Sequence, residues 1–264
     1  MRTRIENLQG MALVQDEAHE HAYLRGADMD SAFVLNNAFI EMEAGKIKEF
    51  GTMSDLASSL KTPGTRIIDG RDRWILPAFI DSHTHLVYAK ERSGEFDLRM
   101  RGATYAEIAA QGGGILHSAA ALEHMSEDRL LEGLLDRLAQ ARTTGTAAVE
   151  IKSGYGLTVE AECKMLRVIQ RAKAATRQPL FATFLGAHAV PSRHHGNKDA
   201  YMQEVITEML PRVAQEGLAD FVDIFCEEGY FAPHHLLALA NASMQLGLPL
   251  KAHVNQFTST GGLQ

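Results

Sequence analysis

Cysteine is scarce: the chain has two in 264 residues, Cys163 and Cys226. They fall in segments that read as a helix and a strand. This excludes a disulfide framework and fits the reduced thiols of a cytoplasmic protein. Long apolar runs are missing too. No stretch approaches the roughly 20 apolar residues of a membrane span. The opening Met1-Arg2-Thr3-Arg4-Ile5 carries basic residues with no apolar segment behind them, against a secretory signal. Charge of one sign is not in large excess. Against 26 Lys and Arg stand 33 Asp and Glu, and the net charge of -7 argues against a nucleic-acid polyanion as partner. What is there, 45% hydrophobic and 22% charged residues with a single Trp, is ordinary globular composition. The length admits one large domain or two smaller ones.

Two patterns divide the chain near residue 73. Residues 1–73 hold short strand-like pieces and turns. Phe33-Val34-Leu35 and Ala38-Phe39-Ile40 flank Asn36-Asn37, Glu43-Ala44-Gly45-Lys46 reads as a turn, and residues 65–70 return as a strand. One short helix, 54–60, is legible there. From 74 to 264 apolar runs (75–80, 147–151, 180–185, 221–225 and 248–252) alternate with helical patterns. Ser126 caps a helix with Glu127 and Asp128 in its first turn and Leu130, Leu134, Leu138 and Ala141 on one face. Thr158 caps the next, with Glu160 and Glu162 early and Val159, Cys163, Leu166 and Ile169 inward. A third carries Tyr201, Val205, Met209 and Val213, with Pro211 as a kink or break. Pro233 starts a fourth, lined by Leu237, Ala240 and Met244 and ended by Gly247. Such alternation predicts an α/β fold of parallel strands joined by helical crossovers. A closed (β/α)8 barrel takes roughly 250 residues. With five runs, the chain forms a smaller open sheet or stops inside a barrel.

Parallel α/β folds collect their chemistry at the C-terminal ends of the strands. His83-Thr84-His85 follows the first run, which reads as a strand buried on both faces with an irregular start at Pro77. In a strand, residues i and i+2 share a face, so both imidazoles can reach one ion. Lys152-Ser153-Gly154-Tyr155 follows the second run, Gly186-Ala187-His188 the third and Cys226-Glu227-Glu228 the fourth, while the fifth leads to His253. His83, His85 and His253 supply three nitrogen ligands, the catalytic arrangement for zinc or iron with a position left for water. Such an ion lowers the pKa of bound water from about 15.7 toward 7. The other histidines read as bland: His19, His21, His117 and His124 in loops or polar segments, His194 and His195 in a surface loop, His234 and His235 solvated at a helix start.

Five blocks then carry a resemblance: residues 75–86, Gln111-Gly112-Gly113-Gly114-Ile115, residues 150–157, residues 184–191 and Lys251-Ala252-His253-Val254-Asn255-Gln256. In this order they resemble imidazolonepropionase, a family of the amidohydrolase superfamily acting in histidine degradation. The resemblance implies a (β/α)8 TIM-type amidohydrolase barrel, incomplete in this chain at about five βα units. The barrel would span 74–264, preceded over 1–73 by the N-terminal part of a composite β-sandwich. It implies hydrolysis of a ring C–N bond of 4-imidazolone-5-propanoate to N-formimidoyl-L-glutamate, with one divalent or ferric ion, zinc or iron, in a cytoplasmic homodimer. His83, His85 and His253 align with metal ligands. Arg92, Tyr155, His188 and Gln256 align with substrate contacts. A guanidinium at Arg92 suits the propanoate, and His188 is the expected catalytic residue, stabilising charge on the ring carbonyl.

The pattern departs from the family in two places. Gln256 stands where members carry Glu or Gln, and an amide cannot serve as a general base. The family's sixth-strand histidine and eighth-strand aspartate lie beyond residue 264, so the acid/base group and the fourth ligand are expected outside this sequence. No lysine ends the fourth run, which favours one metal over two. Two other readings stay open: a related hydrolase or deaminase acting on another cyclic amide or amidine, and a catalytically dead fragment.

Overall fold

The computed structural model describes residues 2–13, 26–27, 33–56, 63–91, 93–104, 107–108 and 113–263. None of the described helices is long and apolar enough to cross a membrane. The chain divides into two compact units, Met1–Ala78 and Phe79–Gln264.

The first unit is one five-stranded sheet. Strand β1 (Arg2–Leu13) pairs antiparallel with β2 (Phe33–Glu43), which pairs with β3 (Lys46–Thr52); a short helix α1 (Met53–Leu56) follows. On its other side β1 pairs in parallel with β4 (Arg66–Asp69) and β5 (Trp74–Ile75). The expected turn is a two-residue hairpin loop, with Ala44 at φ 52° and Gly45 at φ 79°. Strand β1 was not legible in the sequence because its buried positions include a charge. Arg4 is buried and pairs with buried Glu41 at 2.6 Å, an ion pair within the β1–β2 ladder. Strand β2 runs unbroken where two pieces were expected: Asn37 takes φ 48° inside it, a left-handed conformation that Asn tolerates. Leu8, Met11, Ala38 and Ile40 form the core of this unit. Gly10 lies under the indole of Trp74, where a Cβ would meet the ring at 2.4 Å.

The second unit is α/β. Its parallel sheet runs in the order β6 (Phe79–Thr84), β7 (Thr146–Lys152), β8 (Leu180–Ala187), β9 (Phe221–Cys226) and β10 (His253–Val254). Between the strands lie α2 (Ser93–Met100), α3 (Ile115–Glu123), α4 (Glu127–Thr143), α5 (Val159–Ala175), α6 (Lys198–Glu204), α7 (Leu210–Gln215) and α8 (Pro233–Gln245). Sequential order with helical crossovers is what the alternating pattern predicts. The Ser126 and Thr158 caps form: Ser126 Oγ accepts from the Arg129 N–H at 3.4 Å, and Thr158 Oγ1 from the Ala161 N–H at 3.2 Å. Each is worth about 1 kcal/mol. Leu130, Leu134 and Leu138 of α4 and Cys163, Leu166 and Ile169 of α5 are buried in one core with Ile151, Phe184 and Ile224 of the strands.

Three expectations need correction. The run 75–80 is not one buried strand. Trp74–Ile75 belongs to the first sheet, residues 76–78 around Pro77 are not strand, and β6 begins at Phe79. Phe79 and Ile80 are each 70% exposed, and β6 is an edge of its sheet that pairs only with β7 among the described residues. The fifth strand is His253–Val254 rather than 248–252; Pro249 has no N–H for a ladder, and Leu250 makes only an isolated bridge to Val222. Pro211 lies at the start of α7, where the helical hydrogen bonding changes. A π-helical turn, Val205–Met209, precedes it and widens the coil where the ring lacks a donor. Finally, α8 buries His235, Leu239 and Ser243, while Leu237 and Met244 face solvent. The polar residues on the inward stripe, His235 and Ser243, hid the true phase.

Candidate metal and substrate site

Strand β6 ends in His83-Thr84-His85, and β10 consists of His253 and Val254. These two strands are the opposite edges of the parallel sheet, yet His83 Nδ1 lies 3.2 Å from His253 Nε2. Two nitrogens bound at 2.0–2.1 Å to one tetrahedral zinc stand roughly 3.4 Å apart. The observed spacing is close to that. His253 Nδ1 donates to Asp223 of β9 at 3.1 Å, which fixes the proton on Nδ1 and leaves the Nε2 lone pair facing His83.

His85 stands farther out. Its ring centroid is 5.8 Å from that of His83. Its nitrogens are not within 4.8 Å of both the other donors, a spacing that among the described residues only Asp199, His234 and His235 meet as a set of three. His85 Nδ1 is nevertheless buried without a hydrogen-bond partner, which leaves its lone pair or proton unmatched by the protein. Burial, then the neighbouring His188 and His83, hold the His85 pKa well below its usual value. Burial and His253 lower that of His83. Neutral imidazoles are the metal-binding form.

Beneath these rings lies a buried ion network. Asp223 Oδ2 is 3.0 Å from both Lys152 Nζ and His253 Nδ1. Lys152 Nζ reaches Glu150 Oε1 at 2.5 Å, Thr183 Oγ1 donates to the same oxygen at 2.7 Å, and Lys251 pairs with Glu150 Oε2. Burial raises the Asp223 and Glu150 pKa values, but His253 and Lys152 on the first, and Lys152, Lys251 and Thr183 on the second, bring both below the ordinary carboxylate range.

A cavity of about 280 Å³ opens beside the histidines, lined in part by Arg99, Tyr155, His188, Phe225 and Gln256. His85 stacks at 4.9 Å on Tyr155 and at 5.0 Å on His188. His188 Nδ1 donates to the Gly154 carbonyl at 3.0 Å, so Nε2 is an acceptor in the neutral ring and a donor only in the imidazolium. The structure thus gathers His83, His85, His253, Tyr155, His188 and Gln256 around one space. Arg92 lies outside the described residues. Arg99, Asp223, Glu162 and Glu227 were missed by sequence reasoning. Arg99 had no motif, Asp223 and Glu227 take partners 30 and 29 residues ahead, and Glu162 takes N–H groups of the turn just before its own helix. Glu227 accepts from the Gln256 N–H at 2.8 Å and the Phe257 N–H at 2.9 Å, and so holds the loop that carries Gln256.

The Asp199, His234 and His235 group has another explanation. His235 is buried, and its Nδ1 accepts from the Ala232 N–H at 2.9 Å at the start of α8. Nε2 must then carry the proton, which goes to Asp199 at 2.8 Å. A neutral imidazole cannot give both nitrogens as acceptors, so the ring caps a helix and is not a ligand. The expectation of a solvated His235 is corrected by the same contacts.

No family model matches the sequence. Imidazolonepropionase of Flavobacterium johnsoniae is 47% identical over 266 residues, covering 100% of this chain and 63% of that protein. The Ralstonia nicotianae imidazolonepropionase is 41% identical over 92% of this chain and 59% of its own length. This chain is an imidazolonepropionase relative. It spans about three-fifths of the length of the imidazolonepropionases it matches. Among solved structures, E. coli guanine deaminase has a TM-score of 0.63 at 10% identity, over 96% of this chain and 53% of its own. A mutant atrazine chlorohydrolase of Arthrobacter aurescens, complexed with zinc and atraton, has a TM-score of 0.62 at 19% identity, over 97% of this chain and 53% of its own. The fold is therefore that of the amidohydrolase barrels, present here as about five βα units.

Proposed function

We propose that this chain carries the metal-binding and substrate-binding half of an imidazolonepropionase, which hydrolyses 4-imidazolone-5-propanoate to N-formimidoyl-L-glutamate. The observation that carries the reading is the convergence of His83 and His253 at 3.2 Å from opposite edges of the sheet, beside the stacked His85, Tyr155 and His188. His83, His85 and His253 would hold one zinc or iron ion, which when bound supplies Lewis-acid activation of water and of the ring carbonyl. The chain's own residues do the rest. Asp223 sets the tautomer of His253. Arg99 on the cavity wall, together with Arg92, offers guanidinium groups to the propanoate. Tyr155 and Gln256 flank the ring, and His188 as imidazolium donates from Nε2 to the carbonyl oxygen as it gains charge. In the net reaction the oxygen of water joins the carbonyl carbon, the ring C–N bond breaks, and the released nitrogen takes up a proton.

The test uses the 264-residue chain loaded with zinc or ferrous iron. Binding or turnover of 4-imidazolone-5-propanoate in preference to guanine is expected. His253→Ala should lose the ion and the activity together. Metal content and substrate binding both retained in His253→Ala would remove the ligand assignment, and preference for guanine would move the substrate to another cyclic amidine.

A further inference from the structure

The turn that carries Tyr155 is built around a carboxylate belonging to the following helix. Glu162 lies in the first turns of α5 and is fully buried. Side chains on a helix lean toward its N-terminus, and this one reaches back into residues 154–157. Its Oε2 accepts from the Gly154 N–H at 2.9 Å, and its Oε1 from the Gly156 N–H at 2.7 Å and the Leu157 N–H at 2.8 Å. The Ser153 hydroxyl is a further donor to it. Burial raises the Glu162 pKa and these donors oppose it; with N–H groups aimed at both oxygens the turn forms an anion-binding concavity that the carboxylate fills. The turn pays in conformation for that arrangement: Gly154 sits at φ 104° and Leu157, a residue with a Cβ, at φ 56°. At Gly156 a Cβ would strike the Glu162 backbone nitrogen at 2.4 Å, so the chain can close on the carboxylate only with glycine there.

We infer that Glu162 is a positioning residue for the ligand-binding wall: it holds the 154–157 turn so that Tyr155 and His188 present their rings to the cavity. The link to His188 is specific. One oxygen of Glu162 holds the Gly154 N–H, and the Gly154 carbonyl holds His188 Nδ1. Gly154 is packed so closely that a Cβ there would lie 2.8 Å from that nitrogen. In Glu162→Gln a single carbonyl oxygen can still accept from Gly156 and Leu157, but the –NH2 then faces the Gly154 N–H, donor against donor.

The role rests on the reading given under Proposed function, and the test separates the two. Amide hydrogen exchange is measured on the metal-loaded chain and on Glu162→Gln, with metal affinity and 4-imidazolone-5-propanoate affinity measured in parallel. In the variant, exchange at Gly154 should rise about tenfold or more, the loss of a hydrogen bond to a charged group, and at Gly156 and Leu157 less. Metal affinity should be unchanged while ligand affinity falls on the order of tenfold. Where Glu162→Gln gives no folded protein, Ser153→Ala removes one donor to the same carboxylate and should shift each quantity the same way by less. Unaltered exchange at Gly154 overturns the anchoring. Ligand affinity that is unchanged, or that falls only in step with lost metal, overturns the positioning role. Failure of the unsubstituted chain to bind the ligand rejects the proposed substrate and the ligand-positioning role with it, while the exchange arm still judges the anchor by itself.

Discussion

Replacing Asp223 by Asn tests the geometry of the histidine pair most directly. The side chain is fully buried, accepts from His253 Nδ1 at 3.1 Å, and lies 3.0 Å from Lys152 Nζ. Asn keeps the shape and removes the charge. Two effects follow, and they can be measured separately. Without the carboxylate, the proton is no longer held on Nδ1 by a charged acceptor, and the Nε2 lone pair is less often presented. Loss of such a partner lowers metal affinity about 10- to 100-fold, or about 1.4 to 2.8 kcal/mol. The second effect is on the fold. Lys152 would keep Glu150 at 2.5 Å, but Glu150 also serves Lys251, leaving one cation in excess in the network. Breaking a buried pair costs about 3 to 5 kcal/mol, and because Lys251 reaches partly into solvent we expect the lower end. Competition with a chromogenic chelator reads the first quantity, and the urea midpoint at fixed slope reads the second. The pair Asp223→Asn with Lys152→Met removes the excess cation. Stability should recover in that double variant and metal affinity should not, since only the carboxylate touches His253. Wild-type metal affinity in Asp223→Asn would refute the argument that Asp223 sets the His253 tautomer for an ion.

Acid should weaken the second unit through Glu227. Its pKa is lowered from 4.5 to about 2, by the Phe257 amide first and by Thr258. A carboxyl group with a depressed folded-state pKa binds fewer protons folded than unfolded, so its contribution is complete above about pH 4.5 and disappears as the pH falls toward 2. The urea-midpoint difference between the chain and Glu227→Gln should therefore be present at pH 7 and shrink at pH 3; a difference independent of pH would contradict the assignment. Leu237→Lys should change stability by no more than about 0.5 kcal/mol, because Leu237 is exposed on α8. A loss of several kcal/mol in denaturant melts would restore the inward phase that the sequence suggested.

Local signals were legible and remote ones were not. The Ser126 and Thr158 caps and the Ala44-Gly45 hairpin depend on neighbours in sequence, and all are present in the structure. The five βα units follow from strand–helix alternation for the same reason. Strand β1 was hidden because Arg4 and Glu41 neutralise each other across 37 positions of chain, which no window can show. Asp223 was invisible for a similar reason, since its partner His253 is 30 residues away. Glu162 misled differently. An acid in a helix's first turn reads as a solvated complement to the dipole, and only the fold of the preceding turn reveals that it is a buried acceptor.

These acids also explain why the site can sit on loops at all. A loop that binds a small molecule must hold its groups within about 0.5 Å of the productive arrangement, yet residues 154–157 and 255–258 make no sheet ladder of their own. Glu162 takes three N–H groups from the first loop, and Glu227 takes two and the Thr258 hydroxyl from the second. Each carboxylate acts as the missing strand would, giving the backbone amides an acceptor at fixed positions. Asp223 does the same for an imidazole. Because each of these anions is rooted in or next to a strand or helix of the second unit, the two loops and the His253 ring are tied to regular structure.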